Sequence, residues 1–333
     1  MRLILLITSI ATLFACESIK NDKSLLPSSS GKYGEVLIVV DTLYENGKTG
    51  EEIEKIFFQE VIGLPQQEAQ FRASTVSFKG FKSILKQSRS LLKINIEKSL
   101  KTDVKILNDI WAKDQLMIQI DAPDDESAAR VLKKNKQTIR NYFNEEEVSR
   151  LKLNFKKNNQ KELVEGLKKD FGLGILLPKG FVKMQQKDLG VWYKMEKKVG
   201  QHQIIQGVSV YTEPYDSDSV FTNGYFIEKR NSFCADFIQG SRDSSYMAVY
   251  EEFEPGTKEI NLNGIYTIEY RGLWNMKNDF MGGPYLHYTL VDESNNRVIH
   301  LDGFVFAPKF NKREYLRELE AILTSVKLEQ SKS

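Results

Sequence analysis

Cysteine is scarce in this chain of 333 residues, and its scarcity excludes an internal disulfide framework. The two cysteines are Cys16 and Cys234, and Cys16 ends an N-terminal apolar segment. Cys234 is therefore the single thiol of the remaining chain. Isolated thiols are a liability outside the cytoplasm, so we expect Cys234 to be buried. A catalytic role would need a neighbouring base, and residues 231–237 supply no suitable one.

The chain also lacks an excess of charge of one sign. Its 47 Lys and Arg residues nearly balance 45 Asp and Glu residues, which leaves a net charge of +2 at pH 7. Nucleic-acid binding usually requires a basic excess, so this balance argues against a nucleic-acid partner. With 41% hydrophobic and 28% charged residues, the composition is that of a folded globular protein, and the length favours two domains.

Sequence motifs of common catalytic sites are missing. The chain contains no G-x-S-x-G elbow, no H-E-x-x-H zinc motif and no G-x-x-x-x-G-K-[ST] phosphate loop. The tripeptide Asp-Phe-Gly at residues 170–172 matches part of a kinase motif, but the glycine-rich and catalytic loops of kinases are missing. We therefore predict no cofactor and no metal site.

Only one long apolar run is present, and it lies at the N-terminus. After Met1 and Arg2 it covers residues 3–14, which is shorter than the ~20 residues of a membrane-spanning helix. Its length suits the apolar region of a secretory signal peptide. It ends in Leu-Phe-Ala-Cys at positions 13–16, which resembles a bacterial lipobox. We therefore predict a signal peptide over residues 1–15 and lipidation, including palmitate, at Cys16.

A polar segment follows the predicted lipidation site. Its serine, glycine and proline residues resist regular structure, so we expect a flexible tether over residues 16–33. Glu17, rather than an aspartate, follows the cysteine, which by resemblance to enterobacterial sorting favours the outer membrane. The sequence therefore predicts a lipid-anchored protein of the cell envelope of a Gram-negative bacterium, with the membrane as its first partner.

Strand and helix patterns predict an α+β fold with two sheet-plus-helix layers. We place an N-terminal domain at residues 34–171, which begins with a buried strand and ends in one long helix from residue 124 to 169. A hairpin is expected between residues 104 and 120. The C-terminal domain, residues 172–328, is rich in strands, and an α/β/α sandwich is one candidate architecture for it.

A cluster of unusual residues in the second domain is our first candidate for a binding surface. A tight turn at residues 282–284 would present Trp274 and Phe280, and such residue types anchor interfaces. Alternatively, these aromatic residues complete the core of a strand-loop-strand unit. The candidate residues are Arg271, Trp274, Phe280, Met281, Gly282, Gly283 and Tyr285.

Two further groups of residues could carry chemistry. The polar loop containing Ser241, Arg242 and Tyr246 could bind an anionic or sugar group, or it could be an ordinary loop. His287 and His300 would lie near each other, and near Asp302, if their strands form a hairpin. A metal site needs three or four convergent ligands, so the favoured interpretation is an ordinary strand face, and an envelope hydrolase remains the alternative.

Eight short motifs of the chain together resemble those of one known family. They are Leu26–Lys32, Gly34–Asp41, Gly63–Gln66, Ser241–Met247, Arg271–Trp274, Phe280–Pro284, Asp302–Lys309 and Lys312–Leu316. Through these motifs the chain resembles a lipoprotein family of Bacteroidetes known as a domain of unknown function of the DUF4837 type. The resemblance implies export, lipidation and a Gram-negative envelope, and it implies no catalytic residues. The strand pattern of the second half is similar to that of the photosystem-associated PsbP-like proteins.

The sequence thus favours a non-enzymatic binding or assembly module that contacts an envelope protein or a glycan. The alternative is an envelope hydrolase that uses carboxylates or a metal near His287, His300 and Asp302. Metal analysis of the purified protein discriminates between the two functions, because stoichiometric zinc or iron would favour the hydrolase.

Overall fold

Two large sheets of different kinds organise the chain. The structure is a computed structural model and describes residues 25–329. The first sheet uses residues 35–122 and the second uses residues 181–306. The predicted α+β class is confirmed. The predicted signal peptide and Cys16 lie outside the described residues.

The N-terminal half is built on a five-stranded sheet. The spatial order is β2-β1-β3-β5-β4, in which β4 is an antiparallel edge strand and the other strands are parallel. The hairpin predicted between residues 104 and 120 is confirmed as β4 and β5. In chain order the elements are β1 (Glu35–Val39), α1 (Thr42–Glu45), α2 (Lys48–Phe57), β2 (Arg72–Val76), a 3-10 helix (Ser83–Gln87), β3 (Ser90–Ile96), β4 (Asp103–Asn108), β5 (Leu116–Ala122) and α3 (Asp125–Lys157).

Strand β1 is apolar on both faces, because both faces of this parallel sheet are covered. Val36 and Ile38 pack in a core with side chains of α2 and α3. Val39 packs on the opposite face with Phe81 and Met117. The apolar residues of β1, which predicted a buried strand, therefore pack in two cores, one on each face of the sheet.

Helix α3 runs from the first half into contact with the second. Asp124 caps its N-terminus by accepting the backbone N–H of Ser127 at 2.7 Å. One helix to residue 169 was predicted, but α3 ends at Lys157 and a separate helix, α4 (Lys161–Phe171), follows. The break arises at Gln160, whose backbone N–H donates to the carbonyl of Leu177 and whose side chain donates to the carbonyl of Phe181.

The C-terminal half is built on an antiparallel sheet of eight strands. The spatial order is β10-β12-β13-β14-β9-β8-β7, and β11 also pairs with β12. In chain order, after α4, the elements are β6 (Leu173–Gly174), β7 (Phe181–Lys187), β8 (Gly190–Val199), β9 (His202–Pro214), a 3-10 helix (Asp218–Phe221), α5 (Asn223–Phe237), β10 (Tyr246–Val249), β11 (Gly256–Leu262), β12 (Ile265–Lys277), β13 (Gly282–Asp292), a 3-10 helix (Glu293–Asn295), β14 (Arg297–Phe306), α6 (Arg313–Leu323) and β15 (Lys327–Leu328), which pairs with β6.

Side chains alternate across the large sheet, so its central strands contribute to two cores. On β13, Leu286 and Tyr288 pack in the core that contains α4 and α6. Tyr285 packs on the other face with Phe226 of α5, and the His287 ring also contacts Phe226 there. Helices therefore cover both faces, which agrees with the α/β/α sandwich named as a candidate.

The tight turn predicted at residues 282–284 is wrong, because these residues lie inside β13. The chain reverses earlier, near Asn278, whose φ is +61°. Gly283 is needed for close packing instead, since a Cβ at this position would lie 2.0 Å from the carbonyl oxygen of Val305. That oxygen accepts the Nε1–H of Trp274 at 3.3 Å.

Part of the predicted tether is attached to the first half. Ser28 and Ser30 form β-bridges with Lys113 and Ser88, respectively. The backbone N–H of Ser30 also donates to the carbonyl of Gln87 at 2.8 Å. The predicted tether over residues 16–33 therefore includes residues that belong to the folded part from position 28 onwards.

Cys234 is fully buried in α5, as predicted from its isolation in the sequence. Burial raises the pKa of its thiol to about 12. The thiolate, which is the reactive form, is therefore scarcely populated at neutral pH.

The two halves are joined at α6. The buried carboxylate of Glu68 accepts the backbone N–H groups of Lys312 and Arg313 at 2.7 and 3.0 Å, which satisfies two N–H groups at the start of α6. Lys152 of α3 donates to the carbonyl of Thr324 at 2.9 Å, just beyond the other end. Helix α6 is therefore held at both ends by the first half. Between residues 25 and 329, no helix is both long enough and apolar enough to cross a membrane.

Candidate functional site

The residues of the first candidate surface lie in three different environments. Trp274 and Tyr285 are buried in the core beneath α5. Arg271 lies on the opposite face of β12, whose side chains alternate. Phe280, by contrast, is 90% exposed at the end of the β12–β13 hairpin. Met281 beside it is partly buried against the same core. Of the aromatic residues proposed as a surface, Phe280 is thus the one that a partner can reach.

The second candidate loop comes close to the end of that hairpin. The guanidinium of exposed Arg242 lies 4.9 Å from the ring centroid of Phe280 and 3.8 Å from a carboxylate oxygen of Asp279. Asn278 donates to the carbonyl of Ser244 at 3.1 Å. Ser241 is exposed in this loop, and Tyr246 begins β10, opposite Lys277. We refer to Arg242, Asp279 and Phe280 as the Phe280 corner.

The three residues of the hydrolase alternative do come together, because β13 and β14 pair as a hairpin. His287 lies directly opposite Asp302, and Thr289 lies opposite His300. His287 Nδ1 is 3.0 Å from Asp302 Oδ2, and His287 Nε2 is 3.2 Å from His300 Nδ1. All of them are at most 1% exposed.

A fully buried arginine, which the sequence did not single out, holds the carboxylate of this cluster. Arg230 of α5 donates to both oxygens of Asp302, at 2.7 and 3.3 Å. Burial acts to raise the pKa of Asp302, but Arg230 and His287 outweigh it and hold this pKa below its ordinary value. Asp302 is therefore ionised and paired.

Hydrogen bonding determines where the protons of the two histidines lie. His287 Nδ1–H donates to ionised Asp302, so neutral His287 has a lone pair on Nε2. His300 Nε2 lies 2.9 Å from Glu213 Oε1 and donates to it. Burial acts to raise the pKa of Glu213, but His300 and Lys229 lower it to about 2. The facing nitrogens of the two rings therefore both carry lone pairs, and the Thr289 hydroxyl, 3.2 and 3.3 Å away, donates to one of them.

This cluster is closed to substrates. Its contact with solvent is through Glu213, whose side chain is 16% exposed, and through Lys229, its ion-pair partner at 2.7 Å. Nor do any three His, Cys, Asp or Glu side chains in the described part of the chain form a set that could hold a metal ion. Because a hydrolase must bring water and substrate to its acid and base, the buried geometry of His287 and Asp302 favours a structural role.

A different site lies between the two halves, as a cleft of about 410 Å³. One wall is a polar face of α3, a second is formed by β11 and β12, and a third is α6. Residues 59–62 and Gln70 complete the rim. We call this space the inter-half cleft. The α3 wall consists of Gln137, Arg140, Asn141 and Asn144, which are spaced at i, i+3, i+4 and i+7 and so share one face of the helix.

Arg271, one of the predicted binding residues, lines this cleft rather than the Phe280 corner. Its guanidinium donates to Glu269 at 2.8 and 3.0 Å and to Glu320 at 3.0 Å. Burial acts to lower the pKa of Arg271, but the two glutamates outweigh it and raise this pKa. Nε and Nη2 of Arg271 are thus engaged by carboxylates of the protein.

Arg140 is the exception among the arginines of the cleft. It is 7% exposed, and its Nη2 donates to Gln137 at 2.5 Å, but buried Nη1 has no hydrogen-bond partner among residues 25–329. Burial lowers the pKa of Arg140, and no acidic side chain in the described part of the chain offsets this effect. The other three arginines all form ion pairs: Arg271 with Glu269 and Glu320, and Arg313 and Arg317 with Glu314.

The cleft did not emerge from the sequence because its walls come from four segments that are separated by about 40 residues or more. The available signal was on α3, where Gln137, Arg140, Asn141 and Asn144 form a polar stripe with only one charge. A solvated helix face usually carries charges of both signs, so a stripe of amides around a single arginine is a usable sign of a polar cleft.

Fold and site together define an α+β protein in two halves with an arginine-containing cleft between them. Residues 160–325 match the family described as Domain of unknown function (DUF4837), which confirms the predicted resemblance for this part of the chain. Residues 29–156 match a different family, Domain of unknown function (DUF8532). The resemblance expected for the N-terminal motifs is thus to a second family.

Several solved structures are similar to parts of the chain, among them the following two. A variant of the protein Mog1 matches at 8% identity over 48% of this chain and 92% of its own, with a TM-score of 0.32. The human StarD13 (DLC2) lipid transfer and protein localization domain matches at 13% identity over 50% of this chain and 94% of its own, with a TM-score of 0.21. No curated protein matches the chain.

Proposed function

We propose that this chain is a lipid-anchored lipoprotein of the bacterial cell envelope, and that its folded part is a non-enzymatic binding module. The inter-half cleft is its ligand site. The observation that carries the proposal is Arg140, a buried cation that lines a cleft of about 410 Å³ and has no carboxylate partner among residues 25–329. An unpaired buried charge is unfavourable, so its presence fits a site that is completed by a ligand.

The anchoring part of the proposal rests on the lipobox-like motif that ends at Cys16. Two or more acyl chains on one residue give stable membrane attachment, at about 0.8 kcal/mol per buried methylene. Outer-membrane placement rests on Glu17. Cells labelled with radioactive palmitate should incorporate label into the wild-type chain, and a Cys16→Ser variant should incorporate none. Equal labelling of both chains would contradict the anchor.

The cleft can be tested by blocking it. Asn141→Trp places a large ring in the cleft wall, whereas Tyr142→Trp makes a similar change at a neighbouring position that is 40% exposed. Full-length protein extracted gently from cells would be examined by native mass spectrometry. We expect a small-molecule adduct on the wild type and on Tyr142→Trp, and its loss from Asn141→Trp. An adduct that survives the blocked cleft would place the ligand elsewhere.

The Phe280 corner supports a second contact, with an envelope protein or a glycan. The supporting observation is the exposed Phe280 ring beneath the Arg242 guanidinium, since aromatic and arginine side chains anchor interfaces. Crosslinking in intact cells would compare Phe280→Ala with Leu189→Ala, a control at another exposed apolar side chain. A crosslinked partner that persists in Phe280→Ala would exclude the corner.

A further inference from the structure

The inter-half cleft carries a charge that the protein itself does not neutralise, and this charge indicates the class of ligand. We propose that the cleft binds the oxyanionic group, a carboxylate or a phosphate, of a small ligand through the guanidinium of Arg140. This inference rests on the proposed function of the cleft. It adds to that function the chemical group that is recognised and the residue that recognises it.

A short chain of hydrogen bonds orients the donors. Gln137 Oε1 accepts from Arg140 Nη2, and Gln137 Nε2 donates to Asn141 Oδ1 at 2.8 Å. The carbonyl oxygen of Asn141 is thereby used, and its amide N–H groups remain for the cleft. Arg140 and Asn141, adjacent residues of α3, both line the cleft. Arg140 Nη1, which has no hydrogen-bond partner among the described residues, and Asn141 Nδ2 are thus the charged and the neutral donor of this wall.

Asn144, one turn further along α3, has the opposite orientation. Its Nδ2 donates to Glu320 Oε1 at 2.9 Å, which leaves its carbonyl oxygen as an acceptor. The same helix face therefore combines donors for an oxyanion with an acceptor for a hydroxyl or amide group. A ligand with both kinds of group would match this wall.

The charge balance of the cleft agrees with an anionic ligand. Five cationic and three anionic side chains are found among its described lining residues. Glu269 and Glu320 are already engaged by Arg271, and Glu60 is exposed to solvent. Lys258, on strand β11 in another wall of the cleft, adds its positive charge to that of Arg140. Charge-assisted hydrogen bonds are about twice as strong as neutral ones, and more so where water is partly excluded.

A purely structural role for Arg140 predicts a different result from a ligand-binding role. A structural arginine stabilises the empty protein, so its removal lowers Tm. An arginine kept for a ligand is unfavourable in the empty protein, so Arg140→Met should leave Tm unchanged or raise it. Arg130 supplies a matched control, since it lies on the same helix, carries the same charge and is exposed outside the cleft.

The experiment uses full-length protein in detergent and measures binding by calorimetry and by thermal unfolding. The probes are inorganic phosphate, acetate and succinate, each compared with chloride at equal ionic strength. We expect at least one oxyanion to raise the Tm of the wild type. Arg140→Met should weaken its affinity by about tenfold or more, as expected for a lost hydrogen bond to a charged group. Arg130→Met should stay within about twofold of the wild type.

Further variants and probes separate the sources of the anion and the remaining outcomes. Arg140→Lys keeps the positive charge but loses the planar guanidinium with its several N–H donors. This variant should bind the oxyanion with an affinity between those of the wild type and Arg140→Met. Phosphatidylglycerol vesicles, with phosphatidylcholine vesicles as control, distinguish a lipid headgroup from a free anion. The proposal is overturned if no oxyanion raises Tm, or if Arg140→Met binds as the wild type does.

The small-molecule adduct expected in native mass spectrometry distinguishes a failure of this inference from a failure of the proposed function. If Asn141→Trp removes the adduct but Arg140→Met retains it, the cleft binds a ligand and the oxyanion assignment fails. If both variants retain the adduct, the cleft is not the ligand site and both proposals fail. If both variants lose the adduct while Arg130→Met keeps it, both proposals are supported.

Discussion

The facing nitrogens of His287 and His300 lie 3.2 Å apart, and in the neutral state neither carries a proton. A proton placed between them would be shared by both rings, but it would add a charge to a site that is fully buried. Burial lowers the pKa of both histidines, and it outweighs the opposing effects of Asp302 on His287 and of Glu213 on His300. The folded chain therefore keeps both rings neutral where free histidines would begin to titrate.

We predict that the free energy of unfolding falls as the pH is lowered from 6.5 to 4. The pKa of His287 is lowered to about 4 in the folded chain, against an ordinary value of 6.5. Above pH 6.5 the ring is neutral in both the folded and the unfolded chain, so the free energy of unfolding has its full value there. Below that pH the unfolded chain binds the proton first, and about 3 kcal/mol is lost by pH 4.

Denaturant unfolding at several pH values checks this prediction. The loss between pH 6.5 and 4 should be clearly smaller in His287→Gln than in the wild type. His202→Gln, at a partly exposed position, should lose as much as the wild type. Identical pH profiles for all three chains would contradict a role for the buried ring.

The sequence could indicate this histidine cluster only in part. Two strands joined by a short connection place His287 near Asp302 and His300, and the spacing of the strand residues carries that information. The partner that fixes the charge, Arg230, lies 72 residues from Asp302 on helix α5. Its position depends on how α5 packs across the sheet, which local periodicity does not specify.

At the level of elements, helix α6 depends on a residue of the other half. Glu68 satisfies two backbone N–H groups at the start of α6, and a carboxylate at that end also interacts favourably with the helix dipole. The sequence predicts the helix from its apolar face, but a cap supplied from about 245 residues away has no local signature. The same limit explains the break between α3 and α4, which is set by bonds from Gln160 to residues 177 and 181.

We predict that Glu68→Gln lowers the free energy of unfolding by about 1–2 kcal/mol, because the capping charge is lost in a buried position. Glu126→Gln, at a solvent-exposed glutamate whose ion pair with Lys48 is 3.3 Å long, should change it by less than about 0.5 kcal/mol. Chemical denaturation of the three chains gives both values. Equal effects of the two substitutions would show that the cap contributes nothing specific.

On the scale of the whole molecule, the two halves should behave as one cooperative unit. The contacts at both ends of α6 and the walls of the inter-half cleft belong to both halves, although different family models match them. Sequence patterns predict each half separately, since each contains its own sheet. They do not predict the cleft, because its lining combines Arg140 of the first half with Arg271 of the second.

We predict a single unfolding transition for the full chain. Trp111 reports on the first half, and Trp192 and Trp274 report on the second. In Trp111→Phe, fluorescence follows only the second half, whereas circular dichroism follows the helices of both. The midpoints from the two signals should coincide. Separate midpoints would mean that the halves unfold independently and that the contacts at α6 are weak.

Cys234 allows the motion of the intact fold to be timed. Its thiol is fully buried beside the Arg230–Asp302 pair, and its pKa of about 12 makes it slow to react. A thiol reagent can modify it only when α5 separates from the sheet. The labelling rate, measured as a function of reagent concentration, therefore gives the opening rate of the second half under native conditions. A ligand that binds the inter-half cleft should slow this labelling if the two halves open together.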